Sequence, residues 1–317
     1  MHRPSPEVHP GTTADAAPSG PPLGRFHGVN GRRLALHRSG TGTGGPSVVI
    51  LPGAGLVGLD FLNIQQGAAE LTTSVLYDRA GTGWSEDVEL PRTPTDVTDE
   101  LRNLLRAAGV PAPYLLAGHS LGAMYARRYA QRFPDEVAGL LLLDPGHEDM
   151  LSYLPQQVAE MNDRMQPDLE QLPELTDEQI RSARGQYAQL YAAWPDPLRE
   201  ALIEHHLTTW RTGIRETLNF EDEVYDELRN GGPLPDVPLT VLTTTGSNPY
   251  WAHFMSDDLQ REAHDGVRAL HAALAGSVPR GEHRVIDGAS HQYAHVTHPD
   301  AVLRALRDLL DATDSRA

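Results

Sequence analysis

Six short apolar runs, each followed closely by glycine, alternate with stretches of helical periodicity along this chain. They read SVVILPG, SVLYDRAG, YLLAG, GLLLLDPG, TVLTTTG and HRVIDG. Runs this uninterrupted suit strands covered on both faces, as in a parallel sheet. Between two of them, TPTDVTDELRNLLRAAGV sets Val97, Leu101, Leu104 and Leu105 on one helical stripe that stops at Gly109. Strict strand and helix alternation implies an α/β fold with right-handed crossovers. Ahead of it, FHGVNGRRLALHRSG predicts a hairpin turning at Asn30-Gly31.

The rhythm breaks after Gly146. Residues 147–236 are polar and helix-like and hold nineteen acidic against seven basic residues, most of the net charge of −17. They are expected to form a helical insertion that splits an α/β core of residues 25–146 and 237–317. The first 24 residues contain six prolines and no apolar segment of signal-peptide type, and read as a disordered leader. No internal repeat is found.

Composition narrows the chemistry. With 26 basic and 43 acidic residues the chain offers no basic face for nucleic acid or an anionic membrane. Every basic residue is Arg, and there is neither Lys nor Cys. A Schiff-base or P-loop lysine, a thiolate nucleophile, a cysteine zinc site and a disulfide scaffold are thereby excluded. No apolar run of about 18 residues exists to span a bilayer, and a cytoplasmic enzyme is the expectation.

One serine stands out. In LLAGHSLGAMYARRYA, Ser120 lies between Gly118 and Gly122, after an apolar strand and at the start of a helix. Gly-x-Ser-x-Gly alone is a weak signal, and a plain glycine-rich turn is its bland reading. The strand–turn–helix setting favours a nucleophile elbow, in which a strained serine is held out of the backbone. The helix beginning at Leu121 aims free N–H groups at the reacting atom.

With ILPGAG, YDRAGTGWS, GHSLG, LLLLDP and GASH in this order between about Arg25 and Leu310, the chain resembles the lid-bearing serine hydrolases of the α/β-hydrolase superfamily. The resemblance implies a mostly parallel eight-stranded sheet flanked by helices, with residues 147–236 as a lid after the sixth strand. It places the catalytic histidine at His291, in the loop after the last strand. The acid is where this chain departs from most relatives. The loop after the seventh strand, TTTGSNPYW, carries no carboxylate before Asp257. Some relatives take their acid from the end of the sixth strand, where Asp144 stands here. Asp287 and Asp257 are the fallbacks, Asp257 and Asp258 otherwise reading as first-turn helix acids. The resemblance also implies an oxyanion hole from the N–H groups of Leu121 and Ala54, with Gly55 as the alternative to Ala54. Asp78 and Arg79 are given a structural role.

Other histidines receive plainer readings. His295 and His298 follow His291 at helical spacing, but no carboxylate or cysteine accompanies them and no metal is expected. His119 fills the variable motif position, and His205 and His206 read as lid surface.

The expected reaction is cleavage of a neutral ester or lactone through an acyl-enzyme, without cofactor; the acidic lid disfavours polyanionic substrates. Tyr187, Tyr191 and Trp194 share a helix face that either packs the lid on the core or lines a substrate cleft, with Trp251 also within reach. Rival readings are a thioesterase or cyclase acting on a carrier-bound chain, an aminopeptidase, and a non-catalytic ligand receptor. Serine at the elbow argues against dehalogenase and epoxide-hydrolase chemistry, which use a carboxylate. The acyl and alcohol groups and the oligomeric state are not legible.

Overall fold

The computed structural model describes residues 20–40, 42, 45–164, 169, 172–246 and 254–314. Strands β1 (Arg25–Val29) and β2 (Arg32–Ser39) form the expected hairpin, with Asn30 and Gly31 at φ of 51° and 82°. Two successive positive φ values are what a two-residue turn of this kind demands, and Asn-Gly supplies them at low cost.

Then follow β3 (Ser47–Leu51), α1 (Leu62–Ala69), β4 (Ser74–Tyr77), α2 (Pro94–Ala107), β5 (Tyr114–His119), α3 (Leu121–Arg132) and β6 (Val137–Leu143). The described part of the next segment is helical: α4 (Met150–Tyr153), α5 (Gln156–Arg164), α6 (Asp177–Leu190), α7 (Asp196–Thr209), α8 (Thr212–Glu216) and α9 (Tyr225–Arg229). The core resumes with β7 (Leu239–Thr244), α10 (Asp257–Ala275), β8 (Gly281–Ile286), α11 (Ala294–Thr297) and α12 (Pro299–Asp314).

The eight strands lie in the order β1-β2-β4-β3-β5-β6-β7-β8, with β1 and β2 antiparallel to their neighbours and the rest parallel. Successive side chains of a strand point to opposite faces, so the runs of β3 to β7 feed two cores. Val49, Leu51, Leu116, Leu140, Leu142 and Val241 pack beneath α2, α3 and α10. Val48, Ile50, Leu115, Ala117, Leu141 and Leu143 pack beneath α1 and α12. This two-sided covering is why the runs lack polar alternation. The chain leaves β3 toward β4 on one side and returns to β5 on the other. That reversal opens a crevice at the carboxyl ends of β3 and β5, the usual place for a ligand in an open α/β sheet.

Residues 1–19 of the expected leader lie outside the described residues. Its last part needs correction, because Leu23 packs against apolar residues of the core. Among the described residues no helix is long and apolar enough to cross a membrane.

The helical segment is stitched to the connection between β3 and α1. Asp60 is fully buried there, and its Oδ1 accepts the Tyr191 hydroxyl at 2.5 Å and the His206 Nε2–H at 2.8 Å. Its Oδ2 accepts the Val57 N–H at 2.7 Å. Burial opposes the carboxylate, but the charge and hydrogen bond of His206, with those of Tyr191 and Val57, outweigh it and hold Asp60 below the usual range. Trp194 Nε1–H donates to the Leu59 carbonyl at 2.9 Å. Asp60→Ala would strand these buried donors and is expected to cost about 3–5 kcal/mol. Urea denaturation checks this; a loss below about 1 kcal/mol would show that the carboxylate does not hold the seam.

Candidate active site

Parallel pairing brings the two motif residues together. His119 is in register with Leu143, so the next residues, Ser120 and Asp144, leave adjacent strand ends side by side. Ser120 N–H donates to the Leu143 carbonyl at 3.1 Å, and Asp144 N–H to the Leu242 carbonyl at 2.7 Å. Both take left-handed backbone, with φ of 50° and 44°, a conformation that costs roughly 1–3 kcal/mol in a non-glycine residue. The motif glycines are required by space. A Cβ on Gly122 would fall 2.0 Å from the Leu51 carbonyl oxygen, and one on Gly118 would fall 2.5 Å from that of Gly122.

One imidazole bridges the pair. Ser120 Oγ lies 3.1 Å from His291 Nε2, and His291 Nδ1 lies 2.6 Å from Asp144 Oδ2. The Asp144 side chain is 9% exposed and that of His291 42%, so the carboxylate is shielded while the imidazole can be reached. Thr244 completes the carboxylate's coordination, its N–H donating to Oδ1 at 2.9 Å and its hydroxyl to Oδ2 at 2.7 Å. Burial alone would raise the pKa of Asp144. The hydrogen bond and charge of His291, with the Thr244 N–H, hold it well below the ordinary range. For His291, burial opposes the cation, but the Asp144 hydrogen bond and charge prevail and raise it above the ordinary 6.5.

Two further histidines brace this arrangement. His119, read as a motif filler, donates Nε2–H to the His291 carbonyl at 2.8 Å. Burial, with His291 and His295 close by, pushes its pKa down to about 3, so it stays neutral. His271 donates Nε2–H to the Pro145 carbonyl at 3.0 Å, and its Nδ1 accepts the Thr243 hydroxyl at 2.7 Å. That pattern fixes a neutral tautomer 3.9 Å behind Asp144 Oδ1.

Leu121 opens α3, and the first N–H of a helix has no intrahelical acceptor. On the loop after β3, Gly55 N–H is engaged by Glu216 Oε2 at 2.8 Å, so Gly55 is withdrawn as a donor. Ala54 N–H has no acceptor among the described residues.

The remaining expectations fall as follows. Asp287 meets Thr245 at 3.4 Å, while Asp257 and Asp258 lie in the first turn of α10. His295 is buried and stacked on Phe61 with ring centroids 3.9 Å apart. Among the described residues no group of three His, Asp or Glu side chains could hold a metal. Reading His206 as surface is corrected, since it is buried on Asp60; His205 is half-buried against the Trp84 ring. Of the two readings of Tyr191 and Trp194 the packing one fits and the substrate-cleft one does not, because both are buried and their polar atoms are taken up in the seam. Tyr187 is half-buried beside Tyr293, two residues beyond His291, and stacks on Tyr191 and His206. Trp251 lies outside the described residues. An apolar cavity of about 300 Å³, lined by Met150, Leu154, Val158, Tyr225, Met255 and Val267, lies where the helical segment meets α10.

Sequence reasoning missed Asp60, His206 and Glu216. A lone carboxylate inside the apolar run LVGLDFLNI was a usable signal for Asp60. Nothing local marked Glu216.

Comparison with known proteins agrees with this architecture. An uncharacterized protein of Bacillus subtilis, YqjL, is 37% identical over 90 residues, 28% of this chain and 36% of its own length. A human (lyso)-N-acylphosphatidylethanolamine lipase is 36% identical over 104 residues, 32% of this chain and 30% of its own. The matched stretches thus span about a third of each relative. Among solved structures, a thermophilic esterase from Thermogutta terrifontis superposes with a TM-score of 0.60 at 20% identity, covering 91% of this chain and 98% of that one. An enol-lactonase from Burkholderia xenovorans gives 0.56 at 18%, covering 90% and 99%. The model of the alpha/beta hydrolase family matches residues 48–305, most of the sequence. The chain therefore belongs to the alpha/beta hydrolase family.

Proposed function

We propose that this protein is a serine hydrolase of neutral carboxylic esters or lactones. The observation that carries this reading is the unbroken hydrogen-bonded run from Ser120 Oγ through His291 to Asp144. A serine hydroxyl is inert until a base takes its proton. His291 Nε2 accepts that proton as Oγ attacks the carbonyl carbon, and Asp144 stabilises the resulting imidazolium. The tetrahedral oxyanion is met by the N–H groups of Leu121 and Ala54. Collapse breaks the bond to the leaving alkoxide, which takes the proton from His291. Water, deprotonated by the same imidazole, then attacks the acyl carbon and releases the acid and Ser120. Residues 147–236 serve as the lid, with Tyr187 beside Tyr293. The esterase and enol-lactonase among the structural neighbours fit this substrate class.

A panel of uncharged esters and lactones of graded size tests the proposal, with matched carrier-bound thioesters alongside. Turnover of oxygen esters at rates at least equal to the thioesters is expected. Thioester turnover alone would support the chain-releasing alternative, and labelling of Ser120 without turnover of any substrate would support a receptor.

The pH dependence follows from the raised pKa of His291. The base must be neutral, so kcat/KM falls as pH drops through that pKa, and the acidic limb lies above 6.5. A pH profile checks this, and a limb at or below 6 would contradict it.

A further inference from the structure

The loop that carries Ala54 is held by a buried ion pair whose acidic half comes from the helical segment. Arg79 and Glu216 are only 2% and 3% exposed. Glu216 Oε1 accepts Arg79 Nε–H at 2.9 Å and Nη2–H at 2.7 Å, while its Oε2 accepts the Gly55 N–H at 2.8 Å. Arg79 spends its other donors on the same loop, Nη1–H on the Pro52 carbonyl at 2.7 Å and Nη2–H on that of Gly53 at 3.0 Å. Gly213, three residues before Glu216, lets the two backbones touch; a Cβ there would lie 3.0 Å from Gly55 Cα.

In a trans peptide the C=O and N–H of one unit point in opposite directions. Pinning the Gly53 carbonyl on Arg79 therefore turns the Ala54 N–H to the far side of the loop. The loop itself adjoins the nucleophile: a Cβ on Gly53 would lie 3.2 Å from Ser120 Cβ. Three successive peptide planes, from Pro52 to Gly55, are thus held by one guanidinium and one carboxylate, with the Leu56 N–H adding a turn bond to the Gly53 carbonyl at 3.3 Å. We infer that Arg79 and Glu216 are positioning residues for the oxyanion hole, so that seating α8 against the core sets the direction of the Ala54 N–H. The inference rests on the hydrolase reading above.

The pair is chemically specific. Two oxygens of Glu216 receive three N–H donors, which a carboxylate accepts and an amide cannot, since its NH2 would face a donor. Glu216→Gln keeps the shape and misaligns the loop. Arg79→Lys keeps the charge but loses the fork that reaches both carbonyls.

The test is the rate at which a fluorophosphonate labels Ser120, because the phosphoryl oxygen must occupy the hole. It is run from pH 5 to 9 on wild type, Glu216→Gln, Arg79→Lys and Glu148→Gln. The last breaks another buried ion pair, Arg127–Glu148 at 2.7 Å, that does not touch this loop. Labelling of Glu216→Gln and Arg79→Lys is expected to slow by about 10²–10³-fold, with the pH midpoint unmoved because His291 and Asp144 are undisturbed. Glu148→Gln is expected to lower thermal stability while labelling near the wild-type rate. Wild-type labelling rates in both Glu216→Gln and Arg79→Lys, or a shifted midpoint in either, would overturn the inference and leave the hydrolase reading standing. Should Glu216→Gln not fold, Arg79→Lys decides by the same criteria, and wild-type labelling there overturns it. Failure of wild type to label at Ser120 would overturn both.

Discussion

Ser120→Ala is expected to lower kcat by about 10⁶-fold, to the level that binding and the oxyanion donors sustain without a nucleophile. The fold should survive, because the backbone bonds from Ser120 N–H to Leu143 and from Ala123 N–H to the Ser120 carbonyl do not use the side chain. Alanine also meets the same left-handed strain that serine already bears at φ 50°. KM should change little, since removing Oγ takes away a group that reacts rather than one that holds the ground state. Steady-state kinetics together with circular dichroism checks both halves. Activity within tenfold of wild type in the folded variant would remove Ser120 from the mechanism.

Asp144→Asn is expected to lower kcat by about 10⁴-fold without unfolding the protein. The carboxylate accepts three donors, Thr244 N–H and hydroxyl and His291 Nδ1–H, on two oxygens. An amide has one oxygen. If that oxygen faces the Thr244 N–H, the NH2 turns toward His291 and donates to Nδ1, which forces the proton onto Nε2 and leaves no base facing Ser120. If it faces His291, the NH2 opposes the Thr244 N–H and the side chain is expelled. Either way the imidazolium loses its counter-charge, so the acidic limb of whatever activity remains should move to lower pH. Asp287→Asn serves as the comparison, its carboxylate meeting Thr245 on the exposed side. Rates that fall with Asp287→Asn and survive Asp144→Asn would reassign the acid.

Much of the frame was legible because it is written in local patterns. The six glycine-terminated runs became β3 to β8; β3 to β7 are buried on both faces, which leaves no freedom to alternate polar residues, while β8 is a partly exposed edge strand. Asn30-Gly31 announced its turn through the backbone angles only such residues accept easily. Ser120 was visible through the two glycines that close approach demands. Asp144 needed more than local pattern: its reading came from a resemblance and from the missing carboxylate after β7.

What escaped were partnerships across long stretches of chain. The Arg of YDRAG was read as structural, and a buried guanidinium always needs a counter-charge. Nothing in the chain identifies which of the nineteen acidic residues in 147–236 supplies it, and the contact from Gly55 to Glu216 spans 161 positions. Tyr191 and Trp194 illustrate the same limit. A helical aromatic stripe looks alike whether it packs or lines a cleft, and only the polar atoms of Asp60 and Leu59 opposite them decide for packing.

The central claim is that a chemical bond forms between Ser120 and the acyl group, driven by His291 and Asp144. Rapid acid quench of the enzyme with an activated aryl ester, followed by intact and peptide mass analysis, tests it most directly. The account predicts a transient mass gain equal to the acyl group, carried by the peptide holding Ser120, with formation strongly slowed in Asp144→Asn. An acyl adduct on another residue, or ester turnover with full-rate hydrolysis and no adduct even where deacylation is the slow step, would contradict it.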